Sequence, residues 1–587
     1  MHLNIKAVVN EKLNFSKRND VDLDVAVVGG GVSGLYTAWR LACSDLQRKP
    51  AVQVFEMGDR IGGRLESVTL PGMSFAGELG GMRYMDAHEM VSSLINKVFM
   101  ADLKPMPFPM GIPATLYFYA RGQRCRQDAW TSAQGEGKQF VTNFFLPPHL
   151  VGFDSDQMFN KIIYDVLVAD PWFNAAYGAK IRHPSNYEYV FKLTARDWDV
   201  IKPRLKYNFD GPYKGMKVND LGFWNLIRDQ AGDESYEFLS VAGGYYSNTI
   251  NWNAAEAFPY MVGDFSNVDT SYKTIEGGYD RIAFALARAY LETPGSSIWC
   301  GNKVECFERM PKGAKRRYRL TVYNVKTGSR WSVLTDKIVL AVPRRSLELL
   351  DWSKSSFFFG HAEESETLRD QLESVIMEPS FKLLMGFERP WWRESFGSLA
   401  GESLTDLPIR QCYYFGIDPT NGHALFLSSY NDMQTVSFWD PLEPSRNDHL
   451  QRFVPRQTSF AAIGDLEPLL PHQATEAMVR EAMSQVRLVH GPQQAGIPDP
   501  YITFFKDWTK DPFGGGYHAW KAGVDVQKTM QYLRKAREPE SVHICGEAYS
   551  DQQGWVEGAL CVAERMLQEH FGIEWPSWLN REYYLGW

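Results

Sequence analysis

A glycine-rich run directly after a short apolar segment constrains the fold more than any other feature of the sequence. Residues 24–28 read Asp-Val-Ala-Val-Val, and residues 29–34 read Gly-Gly-Gly-Val-Ser-Gly. The β-branched run predicts a buried parallel strand. Apolar residues then recur at i, i+3, i+4 and i+7 from Leu35, which predicts a helix. Residues 52–56, Val-Gln-Val-Phe-Glu, predict a second strand and complete a βαβ unit.

The spacing of these glycines is typical of a dinucleotide site. Gly29 allows the tight turn, Gly31 lets the backbone approach a pyrophosphate, and Gly34 permits close packing of helix on strand. The free N–H groups of the helix N-terminus face the phosphates. Glu56, which ends the second strand, predicts an acceptor for ribose hydroxyls. The predicted cofactor residues of this unit are Gly29, Gly31, Val32, Ser33, Gly34 and Glu56.

Four further motifs carry a resemblance to a known family. They are Gly62-Gly63-Arg64, Glu78-Leu79-Gly80-Gly81-Met82-Arg83, Thr405-Asp406-Leu407-Pro408 with Tyr413-Tyr414, and Gly546-Glu547 followed by Gln553-Gly554-Trp555-Val556-Glu557-Gly558-Ala559. A guanidinium on the first of these glycine turns could reach the same pyrophosphate. With the βαβ unit, these blocks resemble the flavin-dependent L-amino-acid oxidases of the FAD amine oxidase superfamily. The resemblance spans residues 22–570.

The resemblance implies an α/β plus α+β fold. It combines a Rossmann-like FAD-binding domain with a parallel sheet, a substrate domain with a mixed sheet, and a helical insertion. The predicted FAD-binding domain is 21–70, 272–350 and 536–572; the substrate-binding domain is 71–140, 241–271 and 351–535; the helical domain is 141–240; the C-terminal tail is 573–587. Between 140 and 240 alternating β patterns give way to helical ones.

The resemblance also implies which residues hold the cofactor. Besides the βαβ unit they are Gly63, Arg64, Gly81, Met82, Arg83, Val304, Gly546, Glu547, Gly554, Trp555 and Val556. Covalent-flavin relatives carry an attachment cysteine near Tyr549–Gly554, where this sequence has none. FAD is therefore expected to be noncovalent. No metal site is predicted, because the seven cysteines are scattered and form no CxxC pair.

Substrate roles follow from the same resemblance. Arg83 matches the arginine that clamps the substrate α-carboxylate, for which a planar fork of donors is suited. Tyr414 matches a tyrosine that adds a second hydrogen bond; a slip of one residue would assign this role to Tyr413, because neighbours on a strand face opposite sides. His518 falls where relatives line the side-chain pocket, and a structural histidine is the alternative.

Two residues are expected to be catalytic. Lys382 matches the lysine that holds a water near flavin N5, with a solvent-facing strand residue as the alternative. Trp555 matches the aromatic residue beside the substrate amine, with a packing residue as the alternative.

The implied reaction is oxidative deamination of an L-amino acid by hydride transfer to flavin N5, which yields a 2-oxo acid, ammonia and hydrogen peroxide. An amino-acid 2-monooxygenase, an amine or polyamine oxidase, and a flavin-binding module without turnover are the alternatives. The partners expected are an L-amino acid and O2. The oligomeric state is left open, with a homodimer as one candidate.

Charge and composition exclude other classes. A net charge of −8 over 587 residues gives no support for nucleic-acid binding. No uncharged apolar run reaches the roughly 18 residues of a membrane span. Lys6, Glu11 and Lys12 interrupt the segment where a signal peptide needs an apolar core. With the reduced-cysteine pattern, this predicts a cytoplasmic protein without membrane contact.

Overall fold

The glycine-rich turn lies at the edge of a sheet built from distant parts of the chain. A computed structural model of the protein describes residues 4–16, 21–44, 46–265, 271–358, 368–444, 451–453, 472–491, 496–536 and 539–587. The first sheet contains β1 (Val21–Val28), β2 (Val52–Phe55), β12 (Ile298–Trp299), β13 (Asn302–Arg309), β14 (Tyr318–Asn324), β15 (Arg330–Leu340) and β23 (Val542–Ile544). Its order is β12-β2-β1-β15-β14-β13, and β23 pairs with the end of β15.

This nucleotide sheet is parallel only around β1. Strands β12, β2, β1, β15 and β23 run parallel, whereas β13, β14 and β15 form an antiparallel meander. The two arrangements meet in β15, whose first half pairs with β14, whose residues from Val333 onward pair with β1, and whose last three residues pair with β23. The expected parallel sheet is thus present around β1, and the antiparallel meander extends it.

Helix α2 (Val32–Ala42) packs on this sheet as the glycine spacing predicts. Gly29 has a φ of +109°, and a Cβ there would lie 2.4 Å from the carbonyl oxygen of Ala341. A Cβ on Gly34 would lie 2.0 Å from the carbonyl oxygen of Gly29. Side chains are thus excluded at both positions, because the backbone of neighbouring elements occupies the space. Helices α11 (Arg281–Leu291) and α18 (Val556–Phe571) pack against α2.

A second sheet, which we call the substrate sheet, has seven strands in the order β21-β17-β20-β19-β18-β7-β8. Its strands are β7 (Tyr117–Ala120), β8 (Gln123–Arg126), β17 (Ser380–Phe387), β18 (Glu402–Thr405), β19 (Gln411–Ile417), β20 (Ala424–Asp432) and β21 (Ile502–Asp507). All neighbours are antiparallel except β7 and β18. It is the mixed sheet expected, and helix α16 (Glu476–His490) packs on β7 and β20.

A helical region packs beside the substrate sheet. Its helices are α4 (Ala129–Gly135), α5 (Ser155–Ala169), α6 (Pro171–Tyr177), α7 (Ala195–Ile201), α8 (Phe223–Ala231), α9 (Asp233–Ala242) and α10 (Ala254–Tyr260). Their apolar faces form one buried cluster with Phe118 and Leu404 of the substrate sheet. Contrary to the expectation that β patterns disappear here, β9 (Ile181–Ser185) and β10 (Glu188–Phe191) form an antiparallel hairpin.

Short elements connect these three parts. They are α1 (Ile5–Asn10), β3 (Ser67–Thr69), β4 (Ala76–Glu78), β5 (Tyr84–Met85), α3 (Glu89–Ser93), β6 (Pro105–Pro107), β11 (Tyr272–Ile275), α12 (Arg344–Glu348), α13 (Leu368–Leu372), β16 (Val375–Glu378), α14 (Trp391–Phe396), α15 (Val436–Trp439), β22 (Tyr517–Trp520) and α17 (Val526–Arg534). The predicted domain ranges stay a prediction.

The aromatic C-terminal segment packs on the body of the protein. Trp575, Trp578, Tyr583 and Trp587 lie against the core of the nucleotide sheet. The hydroxyl of Tyr583 donates a hydrogen bond of 2.6 Å to Glu557. Among the helices of the described ranges, none combines the length and the apolar character needed to cross a bilayer.

Candidate active site

A cavity of about 440 Å³ runs from the glycine-rich turn to the face of the substrate sheet. Of the predicted cofactor residues, all but Gly34 lie in its wall: Gly29, Gly31, Val32, Ser33, Glu56, Gly63, Arg64, Gly81, Met82, Arg83, Val304, Gly546, Glu547, Gly554, Trp555 and Val556. Gly34 instead provides the contact between α2 and the turn. The structure therefore brings together segments that are hundreds of residues apart in the chain.

At the nucleotide end, glycines leave space that side chains would fill. The nearest heavy atom to a Cβ built on Gly31 is the Cα of Gly63 at 3.8 Å, and a Cβ on Gly546 meets only Ser33 Oγ at 3.8 Å. Both glycines line the cavity, so a ligand can approach their main chain. The N-terminus of α2 opens onto the same space and favours an anionic group there.

Glu56 lies in the cavity wall beside these glycines. Its carboxylate accepts hydrogen bonds from the main-chain N–H groups of Gly30 at 2.8 Å and Gly58 at 2.7 Å. Burial raises the pKa of Glu56, and the two N–H groups oppose that shift. The side chain is thus fixed by the loops around it while it borders the cavity.

Arg64 and Glu547 form a buried ion pair in the middle of the wall. Arg64 Nη1 lies 2.8 Å from Glu547 Oε2 and also donates to the carbonyl of Gly516 at 2.9 Å. Burial alone would raise the pKa of Glu547, but the charge of Arg64, the contact with His518 and the N–H of Gly554 lower it to about 2. Glu547 therefore joins three segments of the wall through one carboxylate.

His518 lies behind this pair and outside the cavity wall, which corrects the prediction that it lines the side-chain pocket. Its Nδ1 lies 2.9 Å from Glu547 Oε2, and its main-chain N–H donates to Oε1 at 2.9 Å. Burial lowers the pKa of His518, with Glu547 opposing the shift. The neighbouring residue Tyr517 faces the cavity instead, because successive side chains on β22 point to opposite sides.

These features fit a flavin dinucleotide. The glycine cradle, the N-terminus of α2 and Arg64 suit a pyrophosphate, and Glu56 suits the ribose next to it. The cavity then continues to Gly554, Trp555 and Val556, where the first turn of α18 lines the wall. A helix N-terminus there favours negative charge on a ring system placed against it.

The other end of the cavity carries a cation among apolar and aromatic groups. Arg83 is 8% exposed, and its guanidinium carbon lies 4.1 Å from the ring centroid of Tyr272 and 5.6 Å from that of Phe108. Nη1 lies 3.0 Å from the sulfur of Met110. These contacts hold the guanidinium plane, so its donors are oriented before a ligand arrives.

Trp555 belongs to the same aromatic group. Its ring is nearly parallel to that of Tyr272, with centroids 6.4 Å apart, and the ring of His88 meets it edge-on at 4.7 Å. Burial lowers the pKa of His88 to about 3, so it packs as a neutral ring. No sequence motif marks Tyr272 or His88, whose roles arise only from the folded arrangement.

Tyrosines complete this end of the cavity. Tyr245, Tyr260, Tyr430 and Tyr517 line it together with Trp555 and Arg83. The rings of Tyr245 and Tyr430 meet edge-on at 5.4 Å. Sequence reasoning missed all four, although the high aromatic content of 14% was a general signal.

The two adjacent tyrosines of β19 lie on opposite faces of the substrate sheet. The hydroxyl of Tyr414 lies 2.8 Å from Ser403 Oγ and 2.7 Å from His490 Nε2, inside an apolar cluster on the far face of the substrate sheet. Tyr413 is on the cavity side, with its hydroxyl 3.3 Å from that of Tyr245. Tyr414 therefore points away from the cavity, which favours the slip of one residue that the sequence left open; a substrate contact of Tyr413 stays a prediction.

Lys382 lies one layer behind the cavity wall. It is 3% exposed in β17, and its Nζ donates to the carbonyl of Gly80 at 2.6 Å and of Glu78 at 3.4 Å. Burial lowers the pKa of Lys382 to about 7, with Glu78 opposing that shift and Arg83 adding to it. Its contacts fix the segment that leads into Met82 and Arg83, and exclude the solvent-facing alternative.

The glycine-lined end of the cavity suits a dinucleotide, and the other end, which we call the chamber, is lined by Arg83, Trp555 and several tyrosines. This combination defines a flavin-dependent oxidoreductase. A family model described as "Flavin containing amine oxidoreductase" matches residues 32–565. The chain belongs to this family, and FAD is its cofactor. This confirms the resemblance and the predicted fold class.

Individual relatives are distant but match over nearly the full length. Achacin of Lissachatina fulica is 24% identical, covering 94% of this chain and 93% of its own. L-amino-acid oxidase 4 of Hebeloma cylindrosporum is 23% identical, covering 95% and 83%. A solved structure of wild-type putrescine oxidase bound to putrescine covers 94% of this chain and all of its own, with a TM-score of 0.58 and 16% identity. The last comparison shows the fold alone.

Proposed function

We propose that this protein catalyses FAD-dependent oxidative deamination of L-amino acids. The products are a 2-oxo acid, ammonia and hydrogen peroxide. The observation that carries this proposal is the position of Arg83, a cation held by aromatic and thioether groups in the wall of the chamber. A substrate with an α-carboxylate matches that cation, whereas a simple amine has nothing to place there. Relatives named L-amino-acid oxidase support the same reading.

The residues of this chain act by positioning. Arg83 binds the carboxylate and so fixes which face of Cα meets the flavin. Tyr413 holds the hydroxyl of Tyr245, which lines the chamber. Trp555 and the tyrosines of the wall exclude water around the substrate amine. Bound FAD supplies the two-electron acceptor that O2 reoxidises. Alignment of this kind can supply a large part of the rate enhancement in a reaction that needs no strong base.

Lys382 supports this arrangement from behind. Its ammonium group holds the carbonyls of Glu78 and Gly80, and the segment continues directly into Arg83. In the proposed reaction, Lys382 holds in place the segment that carries Arg83. The predicted water near the flavin would accept a hydrogen bond from Lys382 Nζ.

FAD is proposed to bind without a covalent bond. No cysteine is found among the described residues that line the cavity. Cys545 and Cys561 are buried in the core of the nucleotide sheet, and burial raises the pKa of the Cys545 thiol to about 12. Flavin should therefore pass into the filtrate after acid denaturation. A cytoplasmic location and a homodimer stay predictions.

The proposal is tested by replacing Arg83 and comparing an amino acid with its decarboxylated amine. A hydrogen bond to a charged group contributes about 1.5–3 kcal/mol. Because about 1.4 kcal/mol corresponds to a tenfold change, Arg83→Ala should lower kcat/KM for the best L-amino acid by about tenfold to a hundredfold. The same change should leave kcat/KM for the amine within about twofold.

Arg126→Ala is the matched control. Arg126 also stacks on an aromatic ring, with its guanidinium carbon 3.9 Å from the centroid of Tyr117, but it lies outside the cavity wall. Its replacement should not separate the two substrates. If Arg83→Ala slows the amine and the amino acid equally, the carboxylate clamp is not at Arg83 and the proposed substrate class loses its support.

A further inference from the structure

A carboxylate that the proposed reaction does not use lies on the chamber face of the substrate sheet. Glu402 pairs directly with Tyr413 across β18 and β19. Directly paired residues on neighbouring strands project to the same face. Because Tyr413 is on the cavity side, Glu402 is on that side too. The next residue, Ser403, bonds to Tyr414 on the opposite face, which confirms the alternation.

The side chain of Glu402 is within electrostatic reach of the chamber. Burial raises the pKa of Glu402, and the charge of Arg83 opposes that shift. The negative charge of Glu402 in turn contributes to raising the pKa of Tyr245 and Tyr430, both of which line the cavity. Glu402 is thus within electrostatic reach of the groups that would surround a bound substrate, from a position behind the residues that line the cavity.

One carboxylate oxygen of Glu402 also lacks compensation from a hydrogen bond. Its Oε2 is buried and has no hydrogen-bond partner within the described part of the chain. Gln127 donates to the main-chain carbonyl of Glu402, not to its carboxylate. A buried carboxylate oxygen without a donor is costly, so such a group is usually matched by a ligand or a water.

A carboxyl group at the start of α5 interacts electrostatically with Glu402. Asp154 caps α5 through a hydrogen bond from the N–H of Gln157, and Asp156 lies in the first turn. Burial and the charges of Asp154 and Glu402 raise the pKa of Asp156 to about 8, although its side chain is accessible to solvent. With that pKa, Asp156 is largely uncharged at neutral pH and adds little negative charge beside Glu402.

The charge balance changes when a substrate binds. In the free protein, Arg83 offsets part of the charge of Glu402. A substrate α-carboxylate on Arg83 removes that offset and leaves Glu402 in a partly buried position without a cation. A buried charge that loses its partner is strongly unfavourable. A cationic side chain on the substrate restores the balance, whereas an aliphatic one does not.

We propose that Glu402 is a specificity-determining residue that selects L-amino acids with a cationic side chain, such as an ammonium group on a lysine-length chain. This inference rests on the proposed function, in which Arg83 holds the α-carboxylate. The two ends of the substrate would then be held by opposite charges, Arg83 and Glu402.

The test compares L-lysine with L-norleucine, which has the same carbon chain without the ammonium group. Holoenzyme should show a kcat/KM at least tenfold higher for L-lysine. Glu402→Gln should lower kcat/KM for L-lysine by about tenfold to a hundredfold, the range for a hydrogen bond involving a charged group. The value for L-norleucine should stay within about twofold or rise, because the Gln variant no longer needs a cation.

Glu394→Gln serves as the matched control. Glu394 is partly exposed and forms an ion pair with Arg389 outside the cavity wall, so this variant should change neither substrate. An equal loss for both substrates in Glu402→Gln would mean that Glu402 acts only through Arg83, and would overturn the inference. An unchanged kcat/KM for L-lysine in Glu402→Gln would overturn it as well.

If Glu402→Gln does not fold, the substrate preference of the wild-type holoenzyme still tests the inference. A higher kcat/KM for L-norleucine or Nε-acetyl-L-lysine than for L-lysine would contradict it. Failure of the proposed function looks different: no L-amino acid, cationic or neutral, would then give a 2-oxo acid and peroxide.

Discussion

The two ends of the cavity are built in different ways. At the nucleotide end the wall consists of short contiguous motifs, residues 29–34, 62–64 and 546–547, in which glycine main chain does most of the contacting. At the substrate end single side chains arrive from separate elements, among them Arg83, Tyr245 and Tyr430. The first end depends on local backbone conformation, and the second depends on which face of a strand a residue occupies.

This difference explains which predictions from the sequence agree with the structure. A glycine that must leave space for a phosphate is specified by its neighbours in the chain, so its position can be read from a motif. A side chain on a strand changes face with a shift of one residue. The substrate end is therefore sensitive to register in a way that the nucleotide end is not.

The largest effect should come from filling the cradle. Gly31→Val places a branched side chain where only the Cα of Gly63 lies nearby, at 3.8 Å, so the fold should tolerate it while the pyrophosphate loses its place. We expect purified Gly31→Val to lose nearly all bound flavin, measured as the ratio of flavin to protein absorbance. Its far-ultraviolet circular dichroism should remain that of the wild type.

Gly135→Val is the control, because a Cβ there meets nothing within 4 Å and Gly135 lies outside the cavity wall. It should retain a full complement of flavin. Full flavin content in Gly31→Val would show that the nucleotide end does not hold the cofactor as described.

A smaller effect should appear in acid stability, again at the nucleotide end. The pKa of Glu547 is lowered from its usual 4.5 to about 2 in the folded state. Its stabilising contribution is therefore fully present above pH 4.5 and is lost as the pH falls toward 2. At about 1.4 kcal/mol for each unit of pKa, the contribution is roughly 3 kcal/mol.

Glu547→Gln removes that titration. The melting temperature of the variant should lie well below that of the wild type at pH 6, and the gap should narrow as the pH falls from 5 to 3. Glu394→Gln, at a partly exposed ion pair, should show a small gap that changes little over the same range. A gap for Glu547→Gln that stays constant with pH would contradict the lowered pKa.

Particular residues show how much of the fold and of the candidate site could be predicted from the sequence. The strand, turn and helix around Gly29–Gly34 follow from hydrophobic pattern and glycine spacing, and the structure has β1 and α2 there. His518 and Tyr414 have the right neighbours in sequence but point away from the cavity, because their strands alternate. Tyr272 reaches Arg83 only because β11 pairs with β5, an association between distant segments that leaves no local pattern.

The smallest effect should separate the two adjacent tyrosines. Tyr413→Phe removes a hydroxyl 3.3 Å from that of Tyr245, and a neutral hydrogen bond of this kind contributes about 0.5–1.5 kcal/mol. The expected loss in kcat/KM for the best L-amino acid is therefore about twofold to tenfold.

Tyr414→Phe should lower the melting temperature, since it leaves His490 and Ser403 without their shared partner, and should leave kcat/KM unchanged. The reverse pattern, with Tyr414→Phe slow and Tyr413→Phe normal, would place the substrate on the far face of the sheet and contradict the structure.

The central claim is that the chamber oxidises L-amino acids, and anaerobic reduction of the bound flavin tests it most directly. Holoenzyme is mixed without oxygen with each of the chiral protein amino acids in its L and its D form, and the visible absorbance of the oxidised flavin is followed. We expect bleaching by L-isomers alone, and after air is admitted a 2-oxo acid identified by mass with peroxide. Flavin that stays oxidised with every L-amino acid but bleaches with simple amines would contradict the account.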